Sequence, residues 1–193
     1  MKNPIKSYNE IQGWCDYDDL YSAFSDALND DFTFVEVGVW KGRSVCFLGQ
    51  QLKIRNKKPK VFAVDTYKGS LNEGIHQKEV LELGGSTLPL FKSYLEDLGL
   101  SDMITPIEKT SELASEDFAD NSIDIIFIDG DHDYEAVSND LNKWFPKMKK
   151  NSIMSGHDFG GESVRKAVLE FFASKNAEVY RASSCCWLVK MMK

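Results

Sequence analysis

Two stretches of buried-strand character in this chain end abruptly in the same chemistry. Residues 123–134 read IDIIFIDGDHDY, and residues 152–159 read SIMSGHDF. Each apolar run stops at acids and a histidine: Asp129, Asp131, His132 and Asp133 in the first, His157 and Asp158 in the second. Between them Val137, Leu141, Trp144 or Phe145, and Met148 recur at helical spacing, so the unit reads strand–helix–strand. Such a crossover makes the two strands parallel and right-handed, which brings both acidic ends to one edge of a sheet. In open parallel sheets that carboxyl edge is where ligands bind.

The rest of the chain repeats the alternation. A helix over 17–28 precedes a strand at 33–38, then come a helix at 44–54, a strand at 60–65, a helix at 88–98 and a strand at 103–107. After the acid-tipped pair, a helix at 162–174 leads to strands at 178–182 and 186–190. This order predicts an α/β, Rossmann-like doubly wound fold with a mainly parallel, seven-stranded sheet. The last two strands are joined too briefly for a crossover, so they are expected to form an antiparallel hairpin. One domain over 1–193 is expected: residues 1–30 supply a covering helix that could join a homodimer interface, and the glycine-bearing stretch 66–87 is a candidate substrate lid. His76 within that stretch is read as exposed.

Composition narrows the function. A net charge of −7 opposes a phosphate-tracking surface, so no nucleic-acid partner is expected. The opening MKNPIKSYNE has no apolar core of a secretory signal, and no run reaches membrane-spanning length, which predicts a cytoplasmic protein with no membrane partner. The four cysteines, Cys15, Cys46, Cys185 and Cys186, lack metal-ligand spacing and read as reduced core thiols.

The first strand runs into EVGVWKGRS, a strand-to-helix turn with Glu36, Gly38, Gly42 and Ser44. Glycine permits positive φ and close approach of a ligand to the backbone, and the helix start favours an anion. The spacing G-x-x-x-G is neither a dinucleotide fingerprint nor a P-loop. Asp65 ends the second strand, where an acid accepts from both ribose hydroxyls of a nucleoside, or else caps a turn. Together the turn and the acid favour a nucleoside-containing ligand.

EVGVWKGRS, AVDTYKGS and IDIIFIDGDHDYEAV with the later SGHDF resemble class I S-adenosylmethionine-dependent methyltransferases. More narrowly they are similar to the small-molecule O-methyltransferase group that includes macrocin-type and cephalosporin-hydroxylase-like proteins. The likeness spans residues 12–190 and implies S-adenosylmethionine as cofactor. It puts Glu36 and Gly38 at the methionine end, Gly42 and Ser44 in support, Asp65 and Thr66 at the ribose, and Asp129 beside the cofactor. Ser111 would contact the adenine side, or else cap a short helix. The likeness further implies a divalent metal on Asp129, His157 and Asp158, magnesium first because two carboxylates suit a hard cation. His157 stands where relatives carry an acid; a histidine ligand shifts preference toward Mn, Fe or Zn, and Asp131 could supply the missing carboxylate. His132 matches a general base for a small-molecule hydroxyl, such as that of a sugar or glycosylated metabolite. Alternatives are an N-methyltransferase on a small amine, a non-catalytic adenosyl-binding module and a metal-dependent hydrolase. Asp131 and Asp133 could instead cap the helix that follows. Trp40, Tyr67 and Phe159 either shape a pocket or pack in the core.

Overall fold

The computed structural model describes residues 3–70 and 74–192. Residues 71–73 of the candidate lid, and the chain ends 1–2 and 193, lie outside the described residues. Seven strands form one sheet: β1 (Thr33–Val37), β2 (Lys60–Asp65), β3 (Ile104–Glu108), β4 (Ile123–Ile128), β5 (Met148–Gly156), β6 (Tyr180–Arg181) and β7 (Trp187–Lys190). Their order across the sheet is β3-β2-β1-β4-β5-β7-β6. The first five pair in parallel, and β7 runs antiparallel to both β5 and β6. The expected fold and terminal hairpin are both present.

Alternation along the strands explains why helices cover both faces. Phe34, Ala63, Ile125 and Phe127 point to a core shared with α1 (Asp18–Ala27), α2 (Arg43–Ile54) and α4 (Leu88–Leu98). Val35, Val37, Val64, Ile126 and Ile128 point the other way, to α5 (Ser111–Ser115), α6 (Tyr134–Trp144) and α7 (Glu162–Ala173). A strand with both faces buried loses the polar alternation of a half-exposed one, which is why IDIIFI reads as a continuous apolar run. No helix among the described residues is long and apolar enough to cross a membrane.

Three boundaries differ from the sequence reading. The helix of the acid-tipped unit ends at Trp144, because Pro146 follows in a short 3-10 turn at Phe145–Lys147. Met148 therefore opens β5 instead of closing the helix. The terminal hairpin strands are shorter than expected, and Cys185 lies in the turn between them. The stretch 66–87 holds a helix, α3 (Gly74–Glu82), which buries only Val80.

Topology sets the site. The sheet order reverses between β1 and β4, the two central strands, and their carboxyl ends open a crevice of the kind that takes ligands in doubly wound folds. Gly38 closes the base of this crevice. Its φ is +87°, and a Cβ there would lie 1.9 Å from the Asp129 carbonyl oxygen. The glycine thus lets the β1 turn meet the end of β4, a tighter constraint than room for a ligand.

Candidate active site

A cavity of about 890 Å³ opens at the carboxyl edge, within the size range of small-molecule and cofactor sites. Gly38, Ser44, Asp65, Thr66, Ser111, Asp129, His132, His157 and Asp158 all line it. Of the cofactor, base and metal residues that the resemblance implies, Glu36 and Gly42 are not on its wall. Gly42, with φ +86°, starts α2 and passes so close to the Phe91 ring that a Cβ would come within 2.2 Å of it.

Glu36 lies beneath the floor. It is fully buried and accepts hydrogen bonds from Ser44 Oγ at 2.5 Å and Tyr21 Oη at 2.9 Å. Burial pushes its carboxyl up to about 8, against the opposing pull of those two hydroxyls. At neutral pH it is therefore mostly protonated and joins β1, α1 and α2 at one polar point in an apolar core. Gly42 at the α2 cap has no side chain to accept from the first amides of the helix, and the nearby Ser44 hydroxyl is turned down to Glu36.

Asp65 organises the loops. One carboxyl oxygen accepts from the amides of Val39 and Trp40, each at 2.7 Å, and the other from the Tyr67 amide at 2.6 Å. Trp40 and Tyr67 both have positive φ, +54° and +56°, a conformation rare for bulky residues and found where the surroundings enforce it. Burial raises the Asp65 carboxyl above its ordinary value, while the three amides oppose the rise. Tyr67 is core: it is buried, donates to the Ala63 carbonyl at 2.9 Å and stacks on Phe91. Phe159 packs against the core on the α6 and α7 side. Trp40 instead lines the cavity.

The acid-tipped strands meet as expected. His132 Nε2 lies 3.0 Å from Asp158 Oδ2, and His157 Nδ1 lies 3.2 Å from the same oxygen and 3.6 Å from Asp129 Oδ1. The two imidazoles hold the Asp158 carboxyl well below the usual carboxylate range. Asp158 sits at φ +55°, again a strained backbone at the cavity rim. Asp129, its side chain 20% exposed, is pushed up to about 6 by burial, with His157 and the Tyr17 hydroxyl acting the other way. Asp129, His132 and Asp158 each offer a ligand atom within 4.8 Å of the others, a grouping that could hold a cation.

His157 behaves differently from a simple ligand. Its Nε2 lies 3.1 Å from Asp16 Oδ1, so the ring spans from the N-terminal segment to the acids. Burial lowers its pKa, but Asp158, Asp129 and Asp16 outweigh that and raise it overall. Asp131 Oδ1 accepts from the Asp133 amide at 3.2 Å, forming a small turn, and Asp133 occupies the α6 cap position without a side-chain capping bond. Of the two alternatives for Ser111, the cap belongs to Thr110, whose Oγ1 accepts from the Leu113 amide at 3.4 Å. Ser111 Oγ accepts instead from Trp144 Nε1 at 2.8 Å.

Gly13, Trp14 and Tyr17, of which the sequence marked only Tyr17, as the start of the covering helix, line the cavity. Arg43 Nη1 donates to the carbonyls of Ile11 and Gly13, each at 3.2 Å, and Tyr17 Oη donates to Asp129 Oδ2 at 3.0 Å. His76 is not exposed: it is half-buried, stacked on Trp40 at 4.1 Å and edge-on to Trp14 at 5.8 Å. An Asp or a Tyr ahead of a covering helix carries no spacing signal, since its partners lie more than a hundred residues away. The four cysteines are free, and burial pushes the Cys15 thiol up to about 12, which removes it as a nucleophile at neutral pH.

With this geometry in hand, comparison with known proteins is decisive at the level of family. Residues 35–159 match the family described as a methyltransferase domain. The chain belongs to that family. This methyltransferase-domain chain is 31% identical over 132 residues to an uncharacterized protein of Acanthamoeba polyphaga mimivirus, the match covering 67% of the chain and 52% of the viral protein. The chain thus spans about half the length of that relative. Its fold is similar to a SAM-dependent O-methyltransferase from Thermotoga maritima (TM-score 0.64, 15% identity, 96% of this chain and 69% of the other). It is also similar to an rRNA methylase from Streptococcus thermophilus (TM-score 0.62, 14% identity, 90% and 95%). The Rossmann-like methyltransferase fold of the family accounts for the sheet order and for the crevice between β1 and β4.

Proposed function

We propose that this protein is an S-adenosylmethionine-dependent methyltransferase acting on a hydroxyl of a small molecule, with His132 as the general base. The observation that carries the reading is the His132–Asp158 pair beside Asp129 on the wall of the cavity that Asp65 and the Gly38 turn also line. The cofactor would supply an activated methyl group. The residues do the rest: the loops tied by Asp65 shape the nucleoside end, and the cluster from β4 and β5 handles the proton.

A hydroxyl becomes a competent nucleophile when its proton leaves around the transition state. A neutral imidazole can take it, and a carboxylate behind the ring orients it and stabilises the imidazolium. Asp158 stands in that relation to His132, at 3.0 Å, and its depressed pKa keeps it ionised. Tyr17, from the N-terminal segment, holds Asp129, and His157, just past β5, braces Asp158. Alignment of a bound acceptor against this cluster supplies the proximity part of the acceleration.

A small acceptor fits the wall better than nucleic acid. Three of its four Lys and Arg side chains are engaged internally, Lys41 with Glu79, Arg43 with two carbonyls and Lys109 with Asp117, and Lys68 is the fourth. A net charge of −7 and a single such lysine on the described wall oppose tracking of a phosphate backbone.

A second reading rests on the Asp129, His132 and Asp158 grouping. Two carboxylates and an imidazole suit a divalent cation, which would bind the acceptor oxygen and lower its pKa. His132 would then be a ligand, and one ring cannot serve both as ligand and as base. His157, which the resemblance made a ligand, is the less suited imidazole because both its nitrogens face carboxylates.

The test is His132→Ala, assayed for methyl transfer to a panel of sugars, polyols and phenols with and without a chelator. Turnover falling at least about a hundredfold, with cofactor affinity unchanged and no effect of chelator on the wild type, supports the base. Loss of wild-type activity with the chelator favours the metal reading. Full activity of the variant refutes both.

A further inference from the structure

Tryptophan is among the side chains most buried on average, yet Trp14 is 65% exposed and stands on the cavity wall. Two more wall residues, Trp40 and His76, lie beside it. His76 is stacked on Trp40 at 4.1 Å, and Trp14 meets His76 edge-on at 5.8 Å with the planes 62° apart. No ring among the described residues lies flat against Trp14. The three rings thus form a tier at the cavity, and an indole face of the outermost is left uncovered by any ring.

The tier is anchored on every side. Just before Trp14, the carbonyls of Ile11 and Gly13 accept from Arg43; just after it, Asp16 faces His157 and Tyr17 donates to Asp129. The Trp40 amide is tied to Asp65, and its carbonyl accepts from Thr87 Oγ1 at 3.0 Å. A Cβ on Gly69 would lie 3.0 Å from His76 Cβ and 3.1 Å from Trp40 Cζ3, so the loop after β2 closes directly on the stacked pair. Rings fixed before a ligand arrives lose little side-chain freedom when it binds. The polar groups around the tier are committed within the protein: Lys41, 5.0 Å over the Trp40 ring, pairs with Glu79 and Gln12, and Gln77 Nε2 donates to the carbonyls of Lys68 and Ser70. A sugar pressed on Trp14 would leave desolvated hydroxyls short of partners, whereas an aromatic ring brings a flat apolar face.

We propose that Trp14 is the platform for the methyl acceptor, stacking on an aromatic ring of the substrate and so selecting aromatic hydroxyl compounds over sugars and open-chain polyols. This rests on the methyltransferase reading given above, and it names the acceptor class of that site. Distance along the chain supports it. Three residues separate Trp14 from Tyr17, so their Cα atoms lie at most about 11 Å apart, and the Tyr17 hydroxyl touches Asp129 at 3.0 Å. An acceptor of one or two fused rings bridges a gap of that size, with one face on the indole and its hydroxyl toward the His132–Asp158 pair.

The proposal is tested by titrating isotopically labelled protein, with S-adenosylhomocysteine present, and following its indole N–H signals by NMR. The Trp14 signal is the one that vanishes in Trp14→Phe. The probes are 2-naphthol, its saturated counterpart decahydro-2-naphthol, and methyl glucoside. The Trp14 signal is expected to shift saturably with 2-naphthol, which should bind about fivefold or more tighter than the saturated compound, the worth of one ring stack. Trp14→Ala should weaken 2-naphthol at least about tenfold, since stacking and buried area go together, and Trp14→Phe should keep most of the affinity. In methyl transfer to 2-naphthol, Trp14→Ala should raise KM with kcat nearly unchanged, the mark of lost uniform binding. A merely structural Trp14 would weaken all three probes alike. An unmoved Trp14 signal, equal wild-type affinity for 2-naphthol and the saturated compound, or tighter binding of methyl glucoside overturns the proposal even if Trp14→Ala does not fold. Failure to bind S-adenosylhomocysteine overturns the methyltransferase reading instead, and the response of the Trp14 signal to 2-naphthol still decides whether Trp14 takes an aromatic ring.

Discussion

Glu36 offers a prediction whose size follows from the structure. Its carboxyl is fully buried beneath the glycine turn and lifted from 4.5 to about 8. Between those two values the unfolded chain has released the proton while the folded chain keeps it. The native state therefore binds more protons there, and stability falls as pH rises from about 4.5 toward 8. A gap of three to four pH units at about 1.4 kcal/mol each amounts to about 5 kcal/mol in full, of which about 3 to 4 kcal/mol falls between pH 5 and pH 8. Glu36→Gln keeps the shape and a hydrogen-bonding group but cannot ionise. Other buried acids, Asp65, Asp129 and Asp140, also titrate, so the informative quantity is the difference between the two proteins. Urea unfolding at half-unit steps from pH 5 to 8 should show the wild type losing about 3 kcal/mol more than Glu36→Gln across the range. Parallel curves for the two proteins would refute the claim that Glu36 is buried with its proton.

Two further substitutions test the loops. Asp65→Ala removes the acceptor for the amides of Val39, Trp40 and Tyr67; it should lower unfolding stability by about 2–4 kcal/mol and weaken cofactor binding at least about tenfold, checked by denaturation and calorimetry. Gly38→Ala drives a Cβ into the Asp129 carbonyl at a positive φ, so a loss of about 3 kcal/mol, or roughly 6–12 °C in Tm, is expected by scanning calorimetry; an unchanged Tm would mean that the β1 turn is looser than its geometry implies.

The fold was legible because its signals are local. The strand–helix–strand unit ending in Asp129 and His157 needs only period and order to be read, and right-handed crossover then fixes where the acids emerge. Pairing of His132 with Asp158 follows from the same logic, since both lie just past the ends of adjacent parallel strands. What the sequence concealed depends on side-chain direction across long separations. Asp16 reaches His157, Tyr17 reaches Asp129, and neither partnership has a spacing signature. Glu36 faces the interior because alternation in β1 sends Val37 and Glu36 to opposite sides, and Gly42 is off the cavity wall because it abuts the Phe91 ring. His76 lies between two tryptophans from distant segments, which no helical periodicity in α3 announces.

On the proposed function, the cavity between β1 and β4 holds an adenosyl cofactor for methyl transfer. Equilibrium dialysis of labelled S-adenosylmethionine against the purified protein tests it most directly. Saturable binding of one molecule per chain, in the micromolar range typical of enzyme substrates and lost in Asp65→Ala but kept in His132→Ala, is the predicted result. No saturable binding at millimolar cofactor, or binding that survives Asp65→Ala unchanged, would contradict it.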